Sequence, residues 1–228
     1  MINKFRKDIN IFNFKIKKEK NEKILYLIKT NLLYEICDNE NSFNDFNELI
    51  KYLSSIPDQQ VNYISIAFCP NNYYTPLTYV SMTSILVSKQ INTYISFYII
   101  IPKDFLRKNI DFLNSLYEDY DYFNITFIKM DDKYNKAYIS RYITNQAYYR
   151  FSLGELIPYL NKIIYLDSDT ICYKDLSNLY NINFKGKIIL GQVIVTNKSK
   201  KTGYYSINSG ILLLNLKEMR KIKFEKRY

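Results

Sequence analysis

The 228-residue sequence predicts an α/β fold, a mainly parallel sheet flanked by helices with a short helical N-terminal extension. Three observations predict it. From Val61 onward, short apolar runs alternate with stretches of helical period. The runs at Tyr94 to Ile101 and Ile163 to Leu166 are apolar at nearly every position, as strands buried on both faces are. The second of these runs ends on Asp167-Ser168-Asp169, which puts paired acids at the carboxyl edge of a sheet, where open α/β folds bind ligands.

The elements follow in order. Residues 1–60 read as a helical or partly disordered extension. Ile24, Leu25, Leu27, Ile28, Leu32, Leu33 and Ile36 mostly keep helical spacing, and Ser42-x-x-Asp45 has the form of a capping box opening a second helix. Pro57 and Asp58-Gln59-Gln60 mark the boundary with a domain over 61–228. Tyr63 to Cys69 reads as a strand, and Pro76 to Ser88 as a helix with proline near its start. Tyr94 to Ile101 is a strand ended by Pro102; Asp104 to Tyr117 is helical; Phe123 to Met130 is a strand. Ala137 to Leu153 is helical again, and Ile163 to Leu166, Lys187 to Gly191 and Ile207 to Leu214 supply three more strands. The five glycines form neither a Gly-x-Gly-x-x-Gly nor a Walker-type loop, so a glycine-rich phosphate cradle is excluded.

Composition narrows the partners. The net charge of +10 sits at the ends: residues 1–29 hold nine Lys or Arg against Asp8, Glu19 and Glu22, and Lys217 to Tyr228 hold six against Glu218 and Glu225. Basic termini suit peripheral association with an anionic membrane, and a neutral middle gives no reason to expect nucleic acid. Cys37, Cys69 and Cys172 lack metal-ligand spacing and leave one thiol unpaired, as in a reducing compartment. Met1 to Phe14 has no uninterrupted apolar segment of the secretory kind, and Lys29 and Asn31 break the run from Ile24 to Ile36. The expected location is cytoplasmic, peripheral at the inner face of a membrane.

The chemistry rests on Asp167 and Asp169. Hard cations such as Mn²⁺ or Mg²⁺ take oxygen ligands, typically one or two carboxylates plus the phosphates of a substrate. Asp-x-Asp-x-Thr also resembles the nucleophile motif of haloacid-dehalogenase-type phosphatases, but too little chain follows Asp169 for the rest of that sheet. A second motif, Ser206-Ile207-Asn208-Ser209-Gly210 running into Ile211 to Leu216, is a polar turn and a small-residue corner leading into an apolar strand. With Ala147 to Ile157, Lys162 to Asp169, and an opening of Ile64 to Ala67, Asn72-Tyr73 and Val80 to Leu86, the order and spacing resemble glycosyltransferase family 8. These are retaining sugar-nucleotide transferases of the GT-A fold, and the resemblance covers roughly residues 63–228.

The resemblance implies a GT-A-like, Rossmann-type nucleotide-sugar-binding catalytic domain. Asp167 and Asp169 would hold Mn²⁺ or Mg²⁺ against the diphosphate of a UDP-hexose, with Ser168 near the ribose. Ala67, Asn72 and Tyr73 would form the nucleotide pocket, Tyr73 stacking on the base. Arg150 would face the donor sugar-phosphate. Asn208, Ser209 and Gly210 would line the sugar and acceptor side, with Asn208 and Gln192 as the candidate catalytic groups. Tyr204 and Tyr205 offer a platform for an acceptor sugar. The implied function is metal-dependent transfer of glucose or galactose, with retention, to a glycan or lipid-linked acceptor such as lipopolysaccharide. The chain departs from the family's pattern in having no His and no Trp, where a histidine near the carboxyl end is the usual third metal ligand. An acid/amide pair of the family is also absent, and Cys69-Pro70-Asn71 stands where an acid often opens the nucleotide pocket. The expectation is a domain whose C-terminal part is missing. The alternative is a transferase-like domain that binds nucleotide-sugar or glycan without turnover.

Overall fold

The structure is a computed structural model that describes residues 61–90, 92–134, 137–138 and 144–226. The extension expected over residues 1–60 lies outside the described residues, as do residues 139–143 of the helix expected from Ala137. The unit from Asn62 carries a six-stranded sheet in the order β3-β2-β1-β4-β6-β5. Its strands are β1 (Asn62–Phe68), β2 (Thr93–Ile101), β3 (Phe123–Lys129), β4 (Ile163–Leu166), β5 (Ile189–Ile194) and β6 (Ser206–Leu214). Pairings β1–β2, β2–β3 and β1–β4 are parallel, and only β6 runs against its neighbours. The expected α/β fold with a mainly parallel sheet is therefore present.

Alternation along the strands divides the core between the two faces of the sheet. Ile64, Ile66, Ile95, Phe97, Ile99, Ile164 and Leu166 pack on one face with Met82 and Ile85 of α1 (Thr75–Ser88). Leu113 and Leu116, from α2 (Arg107–Asn114) and α3 (Leu116–Asp119), close that face. On the other face Ala67, Tyr98, Ile100, Ile163, Tyr165, Leu212 and Leu214 meet Leu153 of α5 (Leu153–Leu156) and Leu216 and Met219 of α8 (Leu216–Lys221). Helices on both faces explain why the central strands read as unbroken apolar runs.

Three element boundaries differ from expectation. The helix expected from Asp104 starts at Arg107, because Leu106 is still extended at φ −72°, ψ 137°. The helix expected over Ala137 to Leu153 is, among the described residues, a chain of short pieces: α4 (Asn145–Tyr148), a 3₁₀ turn (Tyr149–Ser152) and α5. The strand expected at Lys187 to Gly191 runs instead over Ile189–Ile194, so Gln192 lies within β5 and not after it. The β5–β6 register shifts between Gly191 and Val193, and this irregularity carries the strand past the polar residue that ends the apolar run. Two short helices, α6 (Ser177–Tyr180) and α7 (Asn197–Thr202), complete the described elements apart from 3₁₀ turns.

Candidate functional site at the carboxyl ends of β1 and β4

Strands β2 and β3 extend the sheet to one side of β1, and β4 joins it on the other. The strand order therefore reverses between β1 and β4, which is where a crevice opens at the carboxyl edge of such a sheet. A pocket lies there. Cys69 and Asn71 follow β1, Tyr74 adjoins α1, Thr144, Ala147 and Arg150 come from the α4 region, and Tyr165, Asp167, Ser168 and Asp169 come from β4 and its loop.

Asp167 is the most engaged of these. Its amide donates to the Gly210 carbonyl at 2.8 Å, continuing the β4–β6 ladder by one bond. Its Oδ1 accepts from the Tyr165 hydroxyl at 2.6 Å and from Arg150 Nη2 at 3.3 Å. Its Oδ2 lies beside Gly210, where an added Cβ would stand 2.8 Å away. Asp169 is exposed and makes no hydrogen bond or ion pair with another described residue. Two carboxylates opening on one pocket, one lodged in a gap that a Cβ would fill, are a donor set suited to a hard cation that completes its shell from phosphate and water. Among the described residues no cluster of three or more acids, cysteines or histidines exists.

Arg150 is buried. Its Nε donates to the Ala147 carbonyl at 2.6 Å, Nη1 donates to the Ser209 carbonyl, and the guanidinium lies 4.3 Å from the centre of the Tyr165 ring. All three arms of the fork are thus spent on the protein, although the side chain also borders the pocket. Burial pushes the Tyr165 hydroxyl well up from its ordinary value, as do Cys69 and the Asp167 carboxylate, while Arg150 opposes them. Burial likewise pushes the Cys69 thiol up, with Arg150 opposing and Asp167 reinforcing, so this thiol stays protonated.

Ser168 is held from below. Thr78 Oγ1 of α1 lies 2.9 Å from Ser168 Oγ, Ser81 Oγ lies 3.0 Å from Thr170 Oγ1, and Ser84 Oγ accepts from the Cys172 amide at 2.9 Å. Spacing of three places Thr78, Ser81 and Ser84 on one helix face, and the loop after β4 lies along that row of hydroxyls.

The remaining predicted residues divide. Ala67 is wholly buried inside β1, two positions before Cys69. The Asn72 amide is turned away from the pocket: Oδ1 accepts from the Leu106 amide at 2.8 Å and from Asn109 Nδ2 at 2.9 Å, and Nδ2 donates to the Asp104 carbonyl at 3.1 Å. Tyr73 is 82% exposed and packs edge-on against Tyr74, which borders the pocket in its place. Asn208, Ser209 and Gln192 are exposed at the β5–β6 irregularity, and Asn208 Oδ1 accepts from the Gly210 amide at 2.8 Å. Tyr204 and Tyr205 are also exposed. Tyr165 and Tyr74 were not among the expected site residues. Tyr165 could have been found, since positions i and i+2 of a strand share a face and Tyr165 stands two before Asp167.

The model of glycosyltransferase family 8 matches residues 65–228. The chain belongs to glycosyltransferase family 8. A Haemophilus influenzae family relative named "Putative glycosyltransferase" is 31% identical over 168 residues, 69% of this chain and 50% of that protein. The crystal structure of an active-site mutant of LgtC superposes with a TM-score of 0.61 at 25% identity, covering 72% of this chain and 61% of that one. The galactosyltransferase LgtC in complex with donor and acceptor sugar analogues gives a TM-score of 0.61 at 22% identity over 72% of this chain and 65% of that one, a likeness of fold. This family member spans half the length of the Haemophilus influenzae relative. None of its described helices is long and apolar enough to cross a membrane.

Proposed function

We propose that the chain is a metal-dependent hexosyltransferase that moves glucose or galactose from a UDP-hexose to a glycan or lipid-linked acceptor, with retention at the anomeric carbon. The observation that carries the reading is the meeting of Asp167 and Asp169 in one pocket at the carboxyl ends of β1 and β4. Family membership and the donor and acceptor sugar analogues bound by LgtC support it.

In this reading Asp167 and Asp169 hold Mn²⁺ or Mg²⁺, which when bound neutralises charge on a diphosphate leaving group. The nucleotide lies toward the end of β1, with Asn71 and Tyr74 as the polar and aromatic wall, Tyr73 packed against Tyr74, and Ser168 near the ribose. Arg150 keeps positive charge under the phosphate end while fixing Asp167 and the Ser209 carbonyl. Asn208, Ser209 and Gly210 line the sugar and acceptor side. Asn208 and Gln192, both exposed at the register shift, are the candidate groups to face the anomeric carbon. The basic residues of both chain ends suit peripheral binding to an anionic membrane at its cytoplasmic face, where lipid-linked acceptors are available.

A second reading is a transferase-like domain that binds nucleotide-sugar or glycan without turnover, favoured by a pocket at which two carboxylates meet with no cluster of three metal-ligating groups among the described residues. Calorimetric titration of UDP with and without Mn²⁺, in the parent and in Asp167→Asn/Asp169→Asn, tests the site. Manganese-dependent binding lost in the double variant is expected, and equal binding with and without the ion overturns the metal-site reading. Slow hydrolysis of UDP-glucose or UDP-galactose by the parent alone separates the enzyme from the binding module.

A further inference from the structure

We propose that Tyr165 and Arg150 are positioning residues for Asp167, holding its Oδ1 so that only Oδ2 is presented to a divalent cation. The inference rests on the metal-site reading above and deepens it.

Three observations carry it. First, Oδ1 receives two donors, the Tyr165 hydroxyl at 2.6 Å and Arg150 Nη2 at 3.3 Å. Both donors are themselves fixed: Tyr165 is 2% exposed in the core of β4, and Arg150 is tied to the Ala147 and Ser209 carbonyls. Second, Oδ2 has no partner among the described residues and lies in the gap left by Gly210, where a Cβ would stand 2.8 Å from it. Gly203 and Gly186 have positive φ, whereas Gly210 does not, so its value here is the space and not the backbone angle. Third, Asp169 has no such support. The two carboxylates therefore differ in kind: one arrives oriented, and the other is free to adapt to the ion and the phosphates. Fixed partners behind a ligating carboxylate remove the cost of orienting it when the ion binds.

The test uses the 228-residue chain, with UDP affinity measured by calorimetry in Mn²⁺ and in chelator for the parent, Tyr165→Phe and Gly210→Ala. The readout is the ratio of the two affinities, which cancels any loss of packing that affects nucleotide binding in general. Tyr165→Phe is expected to reduce the manganese-dependent gain by about ten- to a hundredfold. Gly210→Ala, whose methyl displaces Oδ2 while leaving both donors in place, is expected to reduce it at least as much. A parental ratio in Tyr165→Phe overturns the inference and leaves the metal-site reading standing. A parent with no manganese-dependent gain overturns that reading and the inference together. Should Tyr165→Phe fail to fold, Gly210→Ala decides, and a parental ratio there overturns the proposal.

Discussion

Replacing Arg150 by Met removes a guanidinium with three protein partners and leaves a side chain of similar length in the same space. Breaking a buried ion pair from one side costs about 3–5 kcal/mol. The Asp167 side chain is 38% exposed, so water takes up part of the orphaned charge and the share of this pair falls to about 1–2 kcal/mol. The Ala147 and Ser209 carbonyls each lose a donor, at about 1 kcal/mol apiece. The whole loss is about 3–4 kcal/mol, and for a domain of this size that lowers the melting midpoint by about 6–16 °C. Thermal unfolding followed by circular dichroism near neutral pH measures it directly. Arg150→Lys keeps the charge but not the planar fork, so it should recover little of the lost stability. The reasoning is refuted if Arg150→Met melts within about 2 °C of the parent while Arg150→Lys restores UDP binding. That result would mean the positive charge at this position serves the donor and the fork contributes nothing to the fold.

Asp175 offers a test with pH. Partial burial pushes its carboxyl up, but donors from Gln90, Ser177 and Thr93 outweigh burial and hold it below its ordinary value of 3.8. A depressed folded value means the stabilisation is complete above the unfolded pKa and is lost as pH falls through the lower folded one. Asp175→Asn should therefore flatten the fall in urea midpoint below about pH 4, and an unchanged slope refutes the assignment. Gly191→Ala should destabilise by about 1–3 kcal/mol, because its methyl would lie 2.9 Å from Leu212 Cδ2 and 3.3 Å from the Asn208 carbonyl. A parental urea midpoint for that variant would show that the β5–β6 irregularity yields at no cost.

What could be read in advance follows from where each residue is buried. The central strands announce themselves because both faces are covered, and Ile163–Leu166 is bounded as expected. The edge strand β5 does not, since from Gly191 to Ile194 it is exposed and carries no apolar pattern to fix its end. The segment around Arg150 reads as one helix because its letters have helical period, yet Arg150 and Tyr149 turn inward and the chain tightens into a 3₁₀ turn there. The acids of the site are legible as a motif. Their support is not, because Tyr165 reads as one more core residue and Arg150 lies seventeen positions before Asp167 on a separate element.

The row of hydroxyls on α1 has a mechanical consequence. Bonds from Thr78, Ser81 and Ser84 to the loop after β4 make that helix and the loop bearing Asp169 parts of one stiff plate. Two walls of the pocket, the one at Tyr74 and the one at Ser168, then keep a separation set by the pitch of a helix and not by the play of two loops. Widening of the pocket to admit or release a ligand is then left to walls outside that plate, such as the one at Thr144 and Ala147. Amide hydrogen exchange reports this: Thr170 and Cys172 should exchange in step with the middle of α1, and faster exchange in the loop alone would show that the two come apart.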